Sequence, residues 1–405
     1  MHVLSRLAAA LPLATTIWAF PTSTNTSSPS STLYVSHYDG HVYTLSLDTA
    51  ARSLTLAGSL QACGAMPSWV TYDAPSNTLY CVDESGSSAN SGNGTLSSFS
   101  PTSSSNVPLR LTDKTTTLPG GVASVIYKDN DGRDYLAIAH YEGSAVSNFK
   151  LPLSMSDNPT ALQTFEFSLP GPPTDPSRQD APHPHETFLD PTGAYVLTPD
   201  LGSDVIHIFA IDKATGKLNE CDAFAVKPGN GPRHGAWWTS KNKKTNVLYI
   251  SNELANTVST YTASYGDECL VLKDDGDIVP YPTDVPSSAN IAEVRVADNR
   301  DVYVSVRNDQ SFAPSDSMAF LQASADDGSL TYKNLTTSYG KTPRTFVVNK
   351  AGTLLAIGNQ ATSDVAIVER DPKTGALGDL VAQLQVGATG TPGQSDGLSS
   401  VIWAE

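Results

Sequence analysis

Basic residues are scarce. The chain holds 25 lysines and arginines against 41 aspartates and glutamates in 405 residues, for a net charge of −16. A nucleic-acid binder needs a basic face to neutralise phosphates, so that class is discounted. Charged residues of both signs make up only 16% while hydrophobic residues reach 39%, a globular balance rather than a disordered one. The longest apolar run, Leu7–Phe20, falls short of the roughly 20 residues that a membrane-spanning helix needs. No long stretch carries the 3.6-residue periodicity of an amphipathic helix, which excludes a helical bundle. Cysteine is sparse too, with four in all: Cys63, Cys81, Cys221 and Cys269.

Among what is present, the N-terminus stands apart. "MHVLSR" supplies a positive start to the run "LAAALPLATTIWAF", the pattern of a secretory signal peptide over residues 1–20. Residues 21–31, rich in serine and threonine, read as a flexible mature N-terminus, and 32–405 as one domain. Export places the product outside the cell, secreted or associated with the cell wall. It also makes two disulfides the expected state of the cysteines. Three pairings are open. Cys63–Cys81 and Cys221–Cys269 are favoured because each pair lies within or between neighbouring repeats. Glycosylation sequons at Asn25, Asn93 and Asn334 fit the same compartment.

The repeats are the main signal. "LYVSHYDGHVYTLSLD", "LYCVDESG", "YLAIAHYEGSAVSNFKL", "YVLTPDLGSDVIHIFAID", "LYISNELANTVSTYTA", "VYVSVRNDQS" and "LLAIGNQATSDVAIVERD" recur along the chain at a spacing of roughly fifty residues. Each is a β-branched run, a polar turn and an alternating run, which is a hairpin signature. Upstream strands such as "RTFVVNKAGTLLAI" and downstream turns such as "DPKTGAL" complete four strands per unit. The fold expected is all-β: a seven-bladed β-propeller of four-stranded antiparallel blades. The first unit lacks its upstream strand, and "LSSVIWAE" is such a strand with no unit after it. Ser399–Ala404 is therefore expected to join the blade begun near Leu33, closing the ring and hiding its edges.

In such a ring, the entries to each blade's first strand and the loops after its second converge at one mouth of the central channel. Six residues there are of unusual type for a turn: His185 in "HPHETFLD", Arg233 in "GPRHGAWW", Glu253 in "SNELANT", Arg307 in "VSVRND", Arg344 in "KTPRTFVV" and Gln360 in "GNQATSD". These segments resemble the seven-bladed propeller lactonase family, which includes 6-phosphogluconolactonases of the bacterial type and fungal carboxymuconate cyclases. The resemblance spans the mature chain. It implies a catalytic set of His185, Arg233, Glu253 and Arg307, with His183, Arg344 and Gln360 as substrate-binding groups. One local departure is "SVR" at Ser305–Arg307, where the family usually has "SNR". His183, His185 and His234 offer three nitrogens, but the surrounding arginines oppose a cation, so neither metal nor cofactor is expected.

Guanidinium forks bind carboxylates and oxyanions, so the expected partner is a small anionic or lactone substrate. In the lactonising direction His185 or Glu253 would deliver a proton. In the hydrolytic direction the same group would activate water while an arginine stabilises the oxyanion. Two other classes compete. A secreted recognition protein or adhesin would bind host or cell-wall surfaces on the same scaffold without turnover. A carbohydrate-active propeller would show paired carboxylates and an aromatic-lined channel, and the sequence shows neither.

Overall fold

In a computed structural model of the chain, residues 30–86, 92–102, 107–154, 159–266 and 269–405 are described. The expected signal peptide, nearly all of the flexible N-terminus and the Asn25 sequon lie outside them. The described residues form strands β1 to β29 in chain order, grouped in seven antiparallel sheets. Six sheets have four strands. The remaining one, which begins with β12 (Phe188–Leu189), carries a fifth short strand at its edge.

The expected closure is present. The last strand, β29 (Leu398–Trp403), pairs antiparallel with β1 (Ser31–His37), from Leu33↔Trp403 to His37↔Leu398. Alternation of side chains along each strand presents apolar residues to both faces, because each blade is sandwiched between two others. Seven hydrophobic clusters result, one at each blade interface. The cluster at the seam joins Leu33 and Leu45 of the first blade to Ile367 of the last, with Trp403 of the closing strand between them. Both expected disulfides form, Cys63–Cys81 with Cα atoms 5.9 Å apart and Cys221–Cys269 at 6.0 Å. The second ties the outer strands of neighbouring blades.

Two repeated devices build the mouth of the channel. The first is a β-bulge near the start of four inner strands. In β4 (Pro67–Asp73), β8 (Gly121–Lys128), β17 (Pro232–Thr239) and β25 (Pro343–Val348), the register with the second strand slips by one residue. The residues passed over are Ser68, Val122, Arg233 and Arg344. A bulge leaves one residue out of the ladder and re-aims its side chain. Four inner strands are entered through a left-handed residue: Gly120, Gly231, Thr342 and Gly397, with φ between +58° and +77°. Glycine suits that conformation, and threonine at 342 is the exception. The second device is the residue just after each second strand. In chain order these are Tyr38, Glu84, Tyr141, Leu201, Glu253, Asn308 and Gln360. All but Leu201 carry a polar group to the same rim.

Candidate active site

These two devices converge on a cavity of about 370 Å³, within the range of small-molecule sites. His185, Glu253, Arg307, Arg344 and Gln360 line it. Arg233 does not reach the cavity wall. It is 1% exposed and lies behind Glu253, its Nε 3.0 Å from Oε2 without the alignment of a hydrogen bond. Glu253 is the hub: Arg307 Nη2 lies 2.9 Å from Oε2, and Arg178 Nη2 donates to Oε1 at 2.6 Å. Burial pushes the Glu253 carboxyl up, but Arg307, Arg233 and Arg178 together outweigh it and hold the group far below the usual carboxylate range. Burial, then repulsion from Arg307, draws the Arg233 guanidinium down to about 9, still cationic at neutral pH.

Arg344 is the least committed guanidinium. Its nearest carboxylate oxygen, Glu84 Oε2, is 3.8 Å away, and that oxygen already accepts hydrogen bonds from Tyr38 and Ser68. The guanidinium lies 5.6 Å above the Tyr38 ring, a cation–π contact. Gln360 spends its amide on the carbonyls of Gln394 and Asp396 at 2.8 and 3.0 Å, so it fixes the loop that forms one side of the cavity.

His185 is buried with its Nδ1 3.2 Å from Nε2 of His234. Burial lowers its pKa well below the ordinary histidine value, and Arg233, His234 and Arg344 lower it further. The ring is therefore a neutral imidazole at neutral pH. His183, expected among the substrate-binding groups, does not line the cavity. Its Nδ1 bonds the Tyr141 carbonyl and its Nε2 faces Asp180, while its ring stacks on Tyr141 at 4.1 Å. Tyr141 in turn sets its edge against His185 at 5.6 Å. Pro184 between the two histidines bridges to Asp200, which accepts from the backbone N–H of His183 at 2.7 Å. His183 is thus a prop for Tyr141.

Tyr141, Glu84 and Arg178 are site residues that the sequence reading missed. The first two occupy the same repeat position as Glu253 and Gln360, and aligning the seven units by that position finds them. Arg178 comes from the irregular segment before His183, where no repeat position exists.

Comparison with known proteins agrees with this fold. Residues 32–391 match the family model described as "Lactonase, 7-bladed beta-propeller". The chain is 28% identical over 338 residues to a probable 6-phosphogluconolactonase of Arthroderma benhamiae, covering 83% of this chain and 81% of that one. It is 25% identical to the 6-phosphogluconolactonase of Bacillus subtilis, over 85% of this chain and 91% of the other. The solved structure of a periplasmic gluconolactonase from Pseudomonas aeruginosa superposes with a TM-score of 0.75 at 21% identity, covering 93% and 99% of the two chains. The chain belongs to the seven-bladed β-propeller lactonase family.

Proposed function

We propose that this chain is an exported lactonase that hydrolyses a small lactone bearing a remote anionic group, with His185 as the general base. The observation that carries the reading is a cavity lined by the His185 imidazole together with the guanidinium groups of Arg307 and Arg344, where burial and the neighbouring cations favour the neutral ring. Arg344 would hold the substrate's phosphate or carboxylate. Arg307, anchored to Glu253, would face the charge that develops on the carbonyl oxygen. Water attacks the carbonyl carbon as His185 Nε2 takes its proton. The ring C–O bond then breaks, and the leaving oxygen receives that proton, so that a hydroxyl and a carboxylic acid result; the acid ionises and releases water's second proton to solvent.

Hydrolysis is favoured over lactonisation of a muconate-type acid. Lactonisation needs a proton donor at the double bond. Burial and the neighbouring cations hold His185 neutral, and three guanidiniums hold Glu253 ionised. Export is supported by two closed disulfides that use all four cysteines and by exposed sequon asparagines at Asn93 and Asn334. The test is proton release by purified protein on gluconolactone, 6-phosphogluconolactone and a muconate panel. Hydrolysis of a phosphorylated or carboxylated lactone well above the spontaneous rate is expected, and is lost in R344M. Folded protein that accelerates no lactone, or that lactonises muconates, overturns the reading.

A further inference from the structure

Beneath the cavity lies a second, fully buried layer of polar groups. His234 follows Arg233 at the β17 bulge and is 2% exposed. Its Nε2 faces His185 Nδ1 at 3.2 Å. Its Nδ1 faces Glu293 Oε1 at 3.0 Å and Glu186 Oε1 at 3.6 Å. Glu293 lies in β21 (Asn290–Ala297) and Glu186 directly follows His185, so three blades contribute. The Glu186 carboxylate is fixed from another side, and the Glu293 backbone is anchored. Glu186 Oε2 accepts from the backbone N–H of Gly235 at 2.7 Å, while the backbone N–H of Glu293 donates to Ser305 Oγ at 3.0 Å and Glu293 Oε2 is buried without a hydrogen-bond partner among the described residues. Arg295 bridges them, with Nη1 3.0 Å from Glu186 Oε1 and Nη2 2.9 Å from Glu293 Oε1. The triangle of Glu186, His234 and Glu293 has the spacing of a metal site. However, Arg295 already sets its guanidinium between the same two oxygens, so the group reads as a proton-ordering network rather than a cation site.

The geometry points to His234 and Glu293 as positioning residues that hold His185 in its Nδ1–H tautomer and so leave Nε2 as a bare lone pair toward the cavity. Burial raises the Glu293 carboxyl, but the Arg295 guanidinium 2.9 Å from Oε1 opposes this and favours the ionised form; a carboxylate only accepts, so the proton of His234, held neutral by burial, sits on Nδ1. Its Nε2 is then an acceptor, and the only donor His185 can offer it is Nδ1–H. The free nitrogen of His185 is thereby settled two residues away from the substrate, by the logic that fixes a catalytic imidazole through a carboxylate behind it. When His185 takes a proton, His234 and Glu293 are aligned to share the positive charge. This inference rests on His185 being the base of the proposed reaction, although the tautomer itself does not.

The experiment is nitrogen-15 correlation spectroscopy of the native protein labelled on histidine, without substrate. Both His185 and His234 are expected to carry their proton on Nδ1. A native His185 protonated on Nε2 overturns the inference, whether or not any lactone is turned over. Conversely, the expected tautomer with no lactone turnover leaves it standing while the proposed activity fails. Two variants extend the test. His234→Phe removes the acceptor, so the His185 proton is expected to leave Nδ1 and kcat to fall about 10- to 1000-fold, with KM little changed. His234→Gln, whose amide oxygen still accepts, is expected to restore the tautomer and much of the rate. In a His185→Ala background, His234→Phe is expected to add no further loss. An additive loss there contradicts action through His185.

Discussion

Replacing Glu253 by glutamine tests the site's electrostatics most directly. The substitution keeps the shape of the side chain and deletes the charge shared by Arg178, Arg233 and Arg307. Arg178 is partly exposed, so water can take over its solvation. Arg233 is 1% exposed and has no such recourse: besides Glu253 it feels Arg307 and Arg344, which repel it, and only Glu293 as a further, weaker carboxylate. Removing one partner of a buried pair typically costs about 3–5 kcal/mol, because the remaining charge is left uncompensated. At about 2.1 cal/mol/K of unfolding entropy per residue, a domain of this size loses roughly 4–6 °C of melting temperature. The pH dependence follows from the depressed carboxyl. Its stabilisation is fully present above its ordinary value of 4.5, declines progressively below it and is gone once pH has fallen through the much lower folded-state value. The wild-type advantage over E253Q is therefore constant across neutral pH, shrinks as pH falls below about 4.5 and vanishes in strong acid. E253Q also leaves a triple-guanidinium nest, so millimolar phosphate should raise its melting temperature more than that of the wild type. A melting temperature within about 1 °C of wild type, with no phosphate response, would refute the hub role of Glu253.

His185→Ala should lower turnover of an identified lactone about 10²- to 10⁴-fold with near-native melting, whereas His183→Ala, acting only through Tyr141, should stay within a few-fold; steady-state kinetics of the pair decides. In Gly231→Ala the new Cβ would sit 2.4 Å from Leu254 Cγ at a residue with φ of +58°, so a loss of about 2–4 kcal/mol is expected in denaturant titration. Opening Cys221–Cys269, which spans 48 residues, should cost about 4 kcal/mol against about 3 kcal/mol for Cys63–Cys81, which spans 18; serine variants of each pair read this difference. Ending the chain at Gly397 removes β29 and with it Trp403 and Val401 from the seam cluster. The exposed edge of β1 should then make the protein aggregate, which light scattering would detect.

The blades were legible because the second strand of each blade buries both faces and the turns are rich in asparagine, aspartate and glycine, so strand and turn chemistry repeats unit after unit. Closure by β29 was legible for the same reason, as a strand that lacked a unit. The site was legible where it departs from the repeat. His37, Asp83, His140, Asp200, Asn252 and Asn359 end their second strands, and several clamp the strand that follows. His140 pairs with Ser147 at 2.7 Å, Asp200 with His207 at 3.1 Å and Asn252 with Ser259 at 2.7 Å. Arg307 holds that position in the sixth blade, where a long cation reaches instead toward Glu253. What stayed hidden depends on the bulges. Strict alternation would send Arg233 and His234 to opposite faces of β17. The slip between Pro232 and His234 breaks that alternation, so both side chains enter the centre of the ring at different depths, Arg233 beside Glu253 and His234 against His185. No pattern in "GPRH" announces the slip, because it comes from pairing with Ser251 and Asn252 of the next strand. Glu293 is concealed likewise by the irregular register between Ile291 and Val294. His185, Glu253, Arg307 and Arg344, which line the cavity, stand out by type in the sequence, and the placement of His234 and Glu293 behind His185 becomes visible only once the strands are paired.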